Sequence, residues 1–85
     1  MIAYHGTNEK AAESIKTTGF RAETWFARQL EHAFLYGGPC IFGVEFSDGP
    51  SMWSGEKWED DWQFHTAIHI PTNKIISYGT IDVIL

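Results

Sequence analysis

The chain opens with a strand and a helix whose limits are both marked in the sequence. The stretch AYHGTNEKAAESIKTTGF, residues 3–20, runs from short apolar residues through His5-Gly6-Thr7 into a helical segment that ends at Gly-Phe. A Thr or Asn stands where a helix needs an N-cap, and Gly19 suits the positive φ that often follows a helix. The sequence therefore predicts a strand over residues 1–4 and a helix over 8–18.

The rest of the chain contains one more helical segment and several strand patterns. The alternation in CIFGVEF, residues 40–46, places Cys, Phe, Val and Phe on one face, which predicts a third, central strand. The other predictions are strands over 23–26, 64–70, 74–78 and 80–85, with Gly79 between the last two, and a helix over 28–36. Since both helices lie in the N-terminal half, we expect one α+β domain over residues 1–85.

Composition excludes several classes of protein. The chain has 85 residues, a formal net charge of −5, 15% aromatic residues and one cysteine, Cys40. Six scattered cations form no basic stripe, which argues against non-specific binding of nucleic acid. The sequence has no apolar run long enough to cross a membrane and no signal peptide, so we expect no membrane partner. A lone cysteine fits a reducing compartment, and we expect a cytoplasmic protein.

Residues 47–62, SDGPSMWSGEKWEDDW, have neither a helical nor a strand period. The segment holds three tryptophans, and four carboxylates lie between Glu56 and Asp61. Long loops within small domains are usually functional or disordered, and the aromatic residues argue against disorder. We interpret this acidic, Trp-rich segment as a loop that could bind a partner or cover a cleft, and a solvated acidic loop is the alternative.

The order of motifs in the first half resembles a known family. YHGT, a helix, Gly-Phe, TWFA at 24–27 and a helix ending in Tyr36-Gly37 are similar to the NAD-binding core of ADP-ribosyltransferases, especially the branch related to poly(ADP-ribose) polymerases. In that branch two aromatic residues lie eleven positions apart, as Trp25 and Tyr36 do here. The resemblance implies a minimal, split β-sheet core that uses NAD as a co-substrate.

The resemblance also implies roles for individual residues. His5 would bind a ribose hydroxyl, Gly6 would pair with the nicotinamide amide, and Trp25 and Tyr36 would enclose the nicotinamide ring. Arg21 would contact the pyrophosphate. The full set of expected NAD-binding residues is His5, Gly6, Thr7, Arg21, Trp25, Phe26 and Tyr36. Taken singly, the same histidine, glycine and tryptophan could each be structural residues.

The family's catalytic set is His-Tyr-Glu, and this chain departs from it at two positions. The resemblance implies His5, Trp25 and Gln63, the last counted eight residues back from Pro71. A glutamine can still hold a ribose hydroxyl, but it brings no negative charge to the oxocarbenium-like transition state. A carboxylate could come from Glu45, Glu59, Asp60 or Asp61, although a solvated loop is the simpler interpretation of the last three. We assign no metal, because His65 and His69 would stand roughly 13 Å apart along one strand.

Two hypotheses of function follow. The first is a small NAD-dependent mono-ADP-ribosyltransferase that modifies a protein or another small acceptor. The second is an inactive module of the same fold that binds a nucleotide or a protein partner, such as a phage or mobile-element inhibitor of a host protein. Nicotinamide release would distinguish them, because only a transferase cleaves NAD.

Overall fold

The computed structural model describes residues 2–46, 57–59, 62–66 and 68–81. In these ranges both α-helices lie in the N-terminal half and combine with an antiparallel sheet, so the predicted α+β class is confirmed. The elements in these ranges are β1 (Ile2–Thr7), α1 (Glu9–Thr18), β2 (Trp25–Ala27), α2 (Leu30–Gly37), β3 (Cys40–Glu45), β4 (Lys57–Glu59), β5 (Gln63–His65), a 3-10 turn (Thr72–Lys74) and β6 (Ile75–Thr80).

The strands of the described ranges form one antiparallel sheet in the order β4-β5-β2-β1-β3-β6. Strand β3 pairs with β1 on one side and β6 on the other, which confirms its predicted central position. The pairing of β1 with β3 continues from Ile2 to Thr7, whereas β1 and β2 are in register at Tyr4 and Ala27. The sheet therefore has two halves, β4-β5-β2 and β1-β3-β6, that meet near Tyr4.

Each face of the sheet carries one helix and one hydrophobic cluster. The larger cluster includes Ala12 of α1, three fully buried phenylalanines of the sheet, Phe26, Phe42 and Phe64, and Phe46, which directly follows β3. The smaller cluster joins Ala33 of α2 to Ala27 and Ile41. Alternation along β3 explains the arrangement, because successive side chains of a strand point to opposite faces. Each fully buried phenylalanine contributes about 1.5–3 kcal/mol.

Two predicted strand limits near the His-Gly-Thr segment are wrong. The first strand does not end at residue 4, because His5, Gly6 and Thr7 continue the pairing with β3. The strand predicted over 23–26 begins only at Trp25. Glu23 has a φ of 66°, which is left-handed backbone and incompatible with a strand.

The second half of the chain also differs from its prediction. The strand predicted over 64–70 ends at His65, because the Thr66 hydroxyl donates to the Ile68 carbonyl at 3.1 Å and Ile70 forms only an isolated bridge with Phe20. Gly79 does not divide two strands, since it pairs with Ile41 within a continuous β6. A short strand, β4, occurs inside the segment expected to be a loop. Residues 47–56, 60–61 and 82–85 lie outside the described residues.

Candidate functional site

A cavity of about 640 Å³ lies beside the split between the two halves of the sheet. Its walls are α1, the end of β1 and the chain from Gly19 to Trp25. Cavities of roughly 300–1,000 Å³ are typical of small-molecule and cofactor sites. Four of the expected NAD-binding residues line it, namely His5, Thr7, Arg21 and Trp25.

His5 is held in one orientation by its neighbours. Its Nδ1 lies 2.8 Å from the carbonyl oxygen of Trp25, and a carbonyl can only accept, so Nδ1 carries the proton and donates. The rings of Phe20 and Phe26 pack against the imidazole with centroid distances of 5.4 and 5.8 Å. In the neutral ring Nε2 is therefore an acceptor, suited to a ligand hydroxyl.

Burial lowers the pKa of His5 below its ordinary value of 6.5, and the hydrogen bond to Trp25 raises it in part. Burial has the larger effect because it penalises the charged form of an imidazole. His5 is thus a neutral hydrogen-bonding group at neutral pH. Its side chain also bridges β1 and β2 just beyond their registered pair at Tyr4 and Ala27.

The N-terminus of α1 contributes a fixed amide to the cavity. Asn8 is the N-cap, and its Oδ1 accepts from the backbone N–H of Ala11 at 2.8 Å. Because the oxygen is engaged in the cap, the side-chain NH₂ is the group left to donate to a ligand. The cavity is also lined by Ala11, Ile15 and Thr18 of α1, whose spacing places them on one face of the helix.

Arg21 lies at the start of a tight turn that closes the cavity opposite α1. The hydroxyl of Thr24 donates to the carbonyl oxygen of Arg21 at 2.6 Å, and Glu23 takes its left-handed conformation inside this turn. The backbone of Phe20 is bonded in both directions to Ile70, which holds the start of the turn against the sheet. Hydrogen bonds therefore hold the chain in place on both sides of Arg21.

Gly6 has a packing role on the opposite face of β1. A β-carbon at this position would collide with the backbone carbonyl of Ala33, and one at Gly37 would collide with Gly6. The two glycines thus allow α2 to approach β1 closely. Gly6 is not among the residues that line the cavity.

Two aromatic residues of the expected NAD site, Tyr36 and Phe26, are not among the residues that line the cavity. Tyr36 lies on α2, is 75% exposed and packs against Trp62 with a ring distance of 5.1 Å. The ring of Trp25 contacts His65 at 4.7 Å. Phe26 is 1% exposed and belongs to the larger hydrophobic cluster. Of the aromatic residues expected to bind NAD, Trp25 is the one that reaches the cavity wall.

Gln63 is half-buried on β5, in register with Ala27 of β2, and lies outside the cavity lining. Among the carboxylates considered as substitutes, Glu45 ends β3 opposite Ile2. Asp60 and Asp61 lie outside the described residues, as does the side chain of Glu59. The structure therefore brings His5 and Trp25 of the expected catalytic set to one cavity without Gln63.

Sequence reasoning missed several residues of the cavity wall, including Lys10, Ser14, Thr18 and Thr24. The helical stripe that begins at Lys10 and Ala11 could have indicated the first three, because α1 follows directly after His5. Helical spacing could not have indicated Thr24, because the position of this residue at the cavity depends on the left-handed conformation of Glu23.

The described part of the chain offers neither a metal centre nor a membrane-spanning helix. Within the described ranges, no three His, Cys, Asp or Glu side chains are grouped in a way that could hold a metal ion. In that same part of the chain, no helix combines the length and apolar character needed to cross a bilayer. No protein-family model and no curated protein matches this sequence.

Proposed function

We propose that this chain is a small NAD-dependent mono-ADP-ribosyltransferase that binds NAD in the cavity beside His5. The observation that carries the proposal is the shared cavity wall of His5, Thr7, Arg21 and Trp25. His5, Thr7 and Trp25 come from YHGT and TWFA, motifs on which the resemblance to ADP-ribosyltransferases depends, and Arg21 directly follows the Gly-Phe pair. The volume of about 640 Å³ is also suited to a dinucleotide.

Each of these residues has a defined part in binding. Nε2 of His5 accepts a hydrogen bond from a ribose hydroxyl, because Nδ1 is already committed to Trp25. The Arg21 guanidinium offers paired N–H donors to the pyrophosphate. Trp25 supplies an aromatic surface at the edge of the cavity for the nicotinamide ring.

The proposed reaction breaks the bond between C1 of the ribose and the nicotinamide nitrogen. Nicotinamide leaves as a neutral molecule with the bonding electron pair, and a nucleophilic group of the acceptor adds to C1 and releases its proton to solvent. The transition state resembles an oxocarbenium ion. Because the described cavity wall carries no carboxylate and Gln63 lies outside it, the barrier is higher by about 3 kcal/mol, so we expect slow turnover.

The second candidate is a module that binds the nucleotide without transferring ADP-ribose. One observation favours it, namely that the cavity wall in the described part of the chain carries no carboxylate and that Gln63 lies outside it. The protein-binding form of this hypothesis involves the acidic, Trp-rich segment, most of which lies outside the described residues. We propose a cytoplasmic location for either activity, in keeping with a free and buried Cys40.

Titration of NAD, ADP-ribose and nicotinamide against tryptophan fluorescence tests the proposal. We expect saturable binding of NAD that weakens at least about tenfold in His5→Ala and Arg21→Ala, because each loses a buried or charge-assisted hydrogen bond. Lys16→Ala is the control, since Lys16 lies on α1 but outside the cavity wall. Absence of binding by all three ligands would reject the proposal.

Nicotinamide release, measured chromatographically with the purified protein and candidate acceptors, separates the two candidates. A transferase releases nicotinamide in a manner that depends on His5, whereas a binding module retains intact NAD. Binding without any release would favour the second candidate.

A further inference from the structure

The cavity wall offers both donors and acceptors to a ligand, because some of its polar groups are already engaged within the protein. The hydroxyl of Thr18 donates to the Ser14 carbonyl at 2.8 Å, and that of Thr24 donates to Arg21. Asn8 has its oxygen in the helix cap and its NH₂ available. Nε2 of His5 can accept a hydrogen bond from a ligand hydroxyl. The donors of the wall suit anionic oxygens, and the acceptors left on His5, Thr18 and Thr24 suit ligand hydroxyl groups.

Two cations contribute to the same wall. Lys10 and Arg21 both line the cavity, and within the described residues neither forms an ion pair. By contrast, Lys16 on the same helix is paired with Glu13 at 3.2 Å and lies over the ring of Tyr78. The chain as a whole has a net charge of −5, so this cavity concentrates positive charge on an acidic protein. Such a site attracts polyanionic ligands.

The balance of charge bears on which dinucleotide the cavity accepts. In dinucleotide-binding enzymes of another fold, an Asp or Glu that bonds the adenosine ribose 2′-hydroxyl selects NAD, whereas a nearby Arg accommodates the 2′-phosphate of NADP. The described wall here has no Asp or Glu to repel a phosphate, and it has one cation beyond the Arg21 assigned to the pyrophosphate.

We propose that this cavity binds the 2′-phosphorylated dinucleotide, NADP, at least as tightly as NAD, and that Lys10 contacts the additional phosphate. The inference rests on the proposed function, since it names the form of ligand that the same site takes. Lys10 is then a determinant of ligand specificity, while Arg21 supports both ligands through the pyrophosphate.

Parallel titrations of NAD and NADP by isothermal calorimetry at low and moderate salt test this inference. We expect NADP to bind about tenfold more tightly than NAD at low salt, since one added charge-assisted contact has about that effect on affinity. Lys10→Ala should remove this preference and leave NAD affinity within about twofold, whereas Lys10→Arg should retain it. Lys16→Ala, which removes the same charge from the same helix outside the wall, should leave the ratio unchanged.

The possible results distinguish a failure of the NADP proposal from a failure of the proposed function on which it rests. If NAD binds and NADP binds more weakly than NAD, the specificity is overturned and the proposed function stands. If the preference for NADP persists in Lys10→Ala, the assignment of Lys10 is wrong. If neither dinucleotide binds, both proposals fail, and circular dichroism of each variant establishes that the protein tested is folded.

Discussion

The imidazole of His5 combines a fixed proton, an aromatic enclosure and a free acceptor. The hydrogen bond to Trp25 sets the tautomer, while Phe20 and Phe26 limit rotation of the ring. A histidine that must accept a bond from a ribose hydroxyl has to be neutral, and burial favours that form by lowering the pKa of His5. The same contacts that place this residue in the hydrophobic cluster therefore prepare it for the proposed role.

The lowered pKa of His5 predicts a pH-dependent contribution to stability. The unfolded chain takes up a proton near pH 6.5, the ordinary value, while the folded chain resists protonation to a lower pH. The contribution of His5 is therefore complete above pH 6.5 and declines as the pH falls from there through the folded pKa. Thermal unfolding of the wild type and His5→Gln at pH 7.5 and 5.0 measures it.

We expect the difference in melting temperature between wild type and His5→Gln to shrink as the solution is acidified. Carboxylates titrate in both proteins and cancel in the comparison. A difference that stays constant, or that grows toward acid, would show that the imidazole is not held in its neutral form.

Strand β1 and helix α2 approach each other more closely than side chains would allow. The contact runs through Gly6, Gly37 and the backbone of Ala33, and it leaves no space for a β-carbon on the strand. Because Gly6 follows His5, the same contact fixes the strand that carries the histidine. The glycine of the His-Gly pair thus has a structural function whether or not its backbone also binds nicotinamide.

Substitution of Gly6 by alanine should destabilise the fold strongly. We expect Gly6→Ala to lower the free energy of unfolding by about 1–3 kcal/mol or more, because the added methyl group must displace backbone rather than a side chain. Gly79→Ala is the matched control, since a β-carbon there meets nothing within 4 Å, and its effect should stay within about 0.5 kcal/mol. Urea denaturation compares them, and equal stability of the two variants would contradict the packing described here.

Elements with local signals were predictable, and those defined by pairing were not. The ends of α1 follow from Asn8 and Gly19, whose cap bond and φ of 82° are local properties. The continuation of β1 through His5 and Thr7 depends on β3, more than thirty residues away in the sequence. The short strand β4 likewise exists through its pairing with β5, and its three residues are too few for an alternation to predict a strand.

The cavity belongs to the whole molecule, because it forms where the two halves of the sheet separate and α1 covers one face. The sequence motifs indicated His5, Thr7, Arg21 and Trp25, and the structure brings these four together. The positions of Gln63 and Tyr36 relative to the cavity could not be predicted, since they depend on the register of β5 and the face of α2. The position of Lys10 on the cavity wall was not among the sequence predictions.

The central claim is that a dinucleotide occupies this cavity, and an NMR titration tests it most directly. On addition of NAD to ¹⁵N-labelled protein with assigned amide resonances, we predict chemical-shift changes concentrated in residues 5–15 and 18–25. Strand β6, remote from the cavity wall, should be unaffected. Saturating changes confined to those two stretches would support the account, whereas no changes, or changes located mainly in β6, would contradict it.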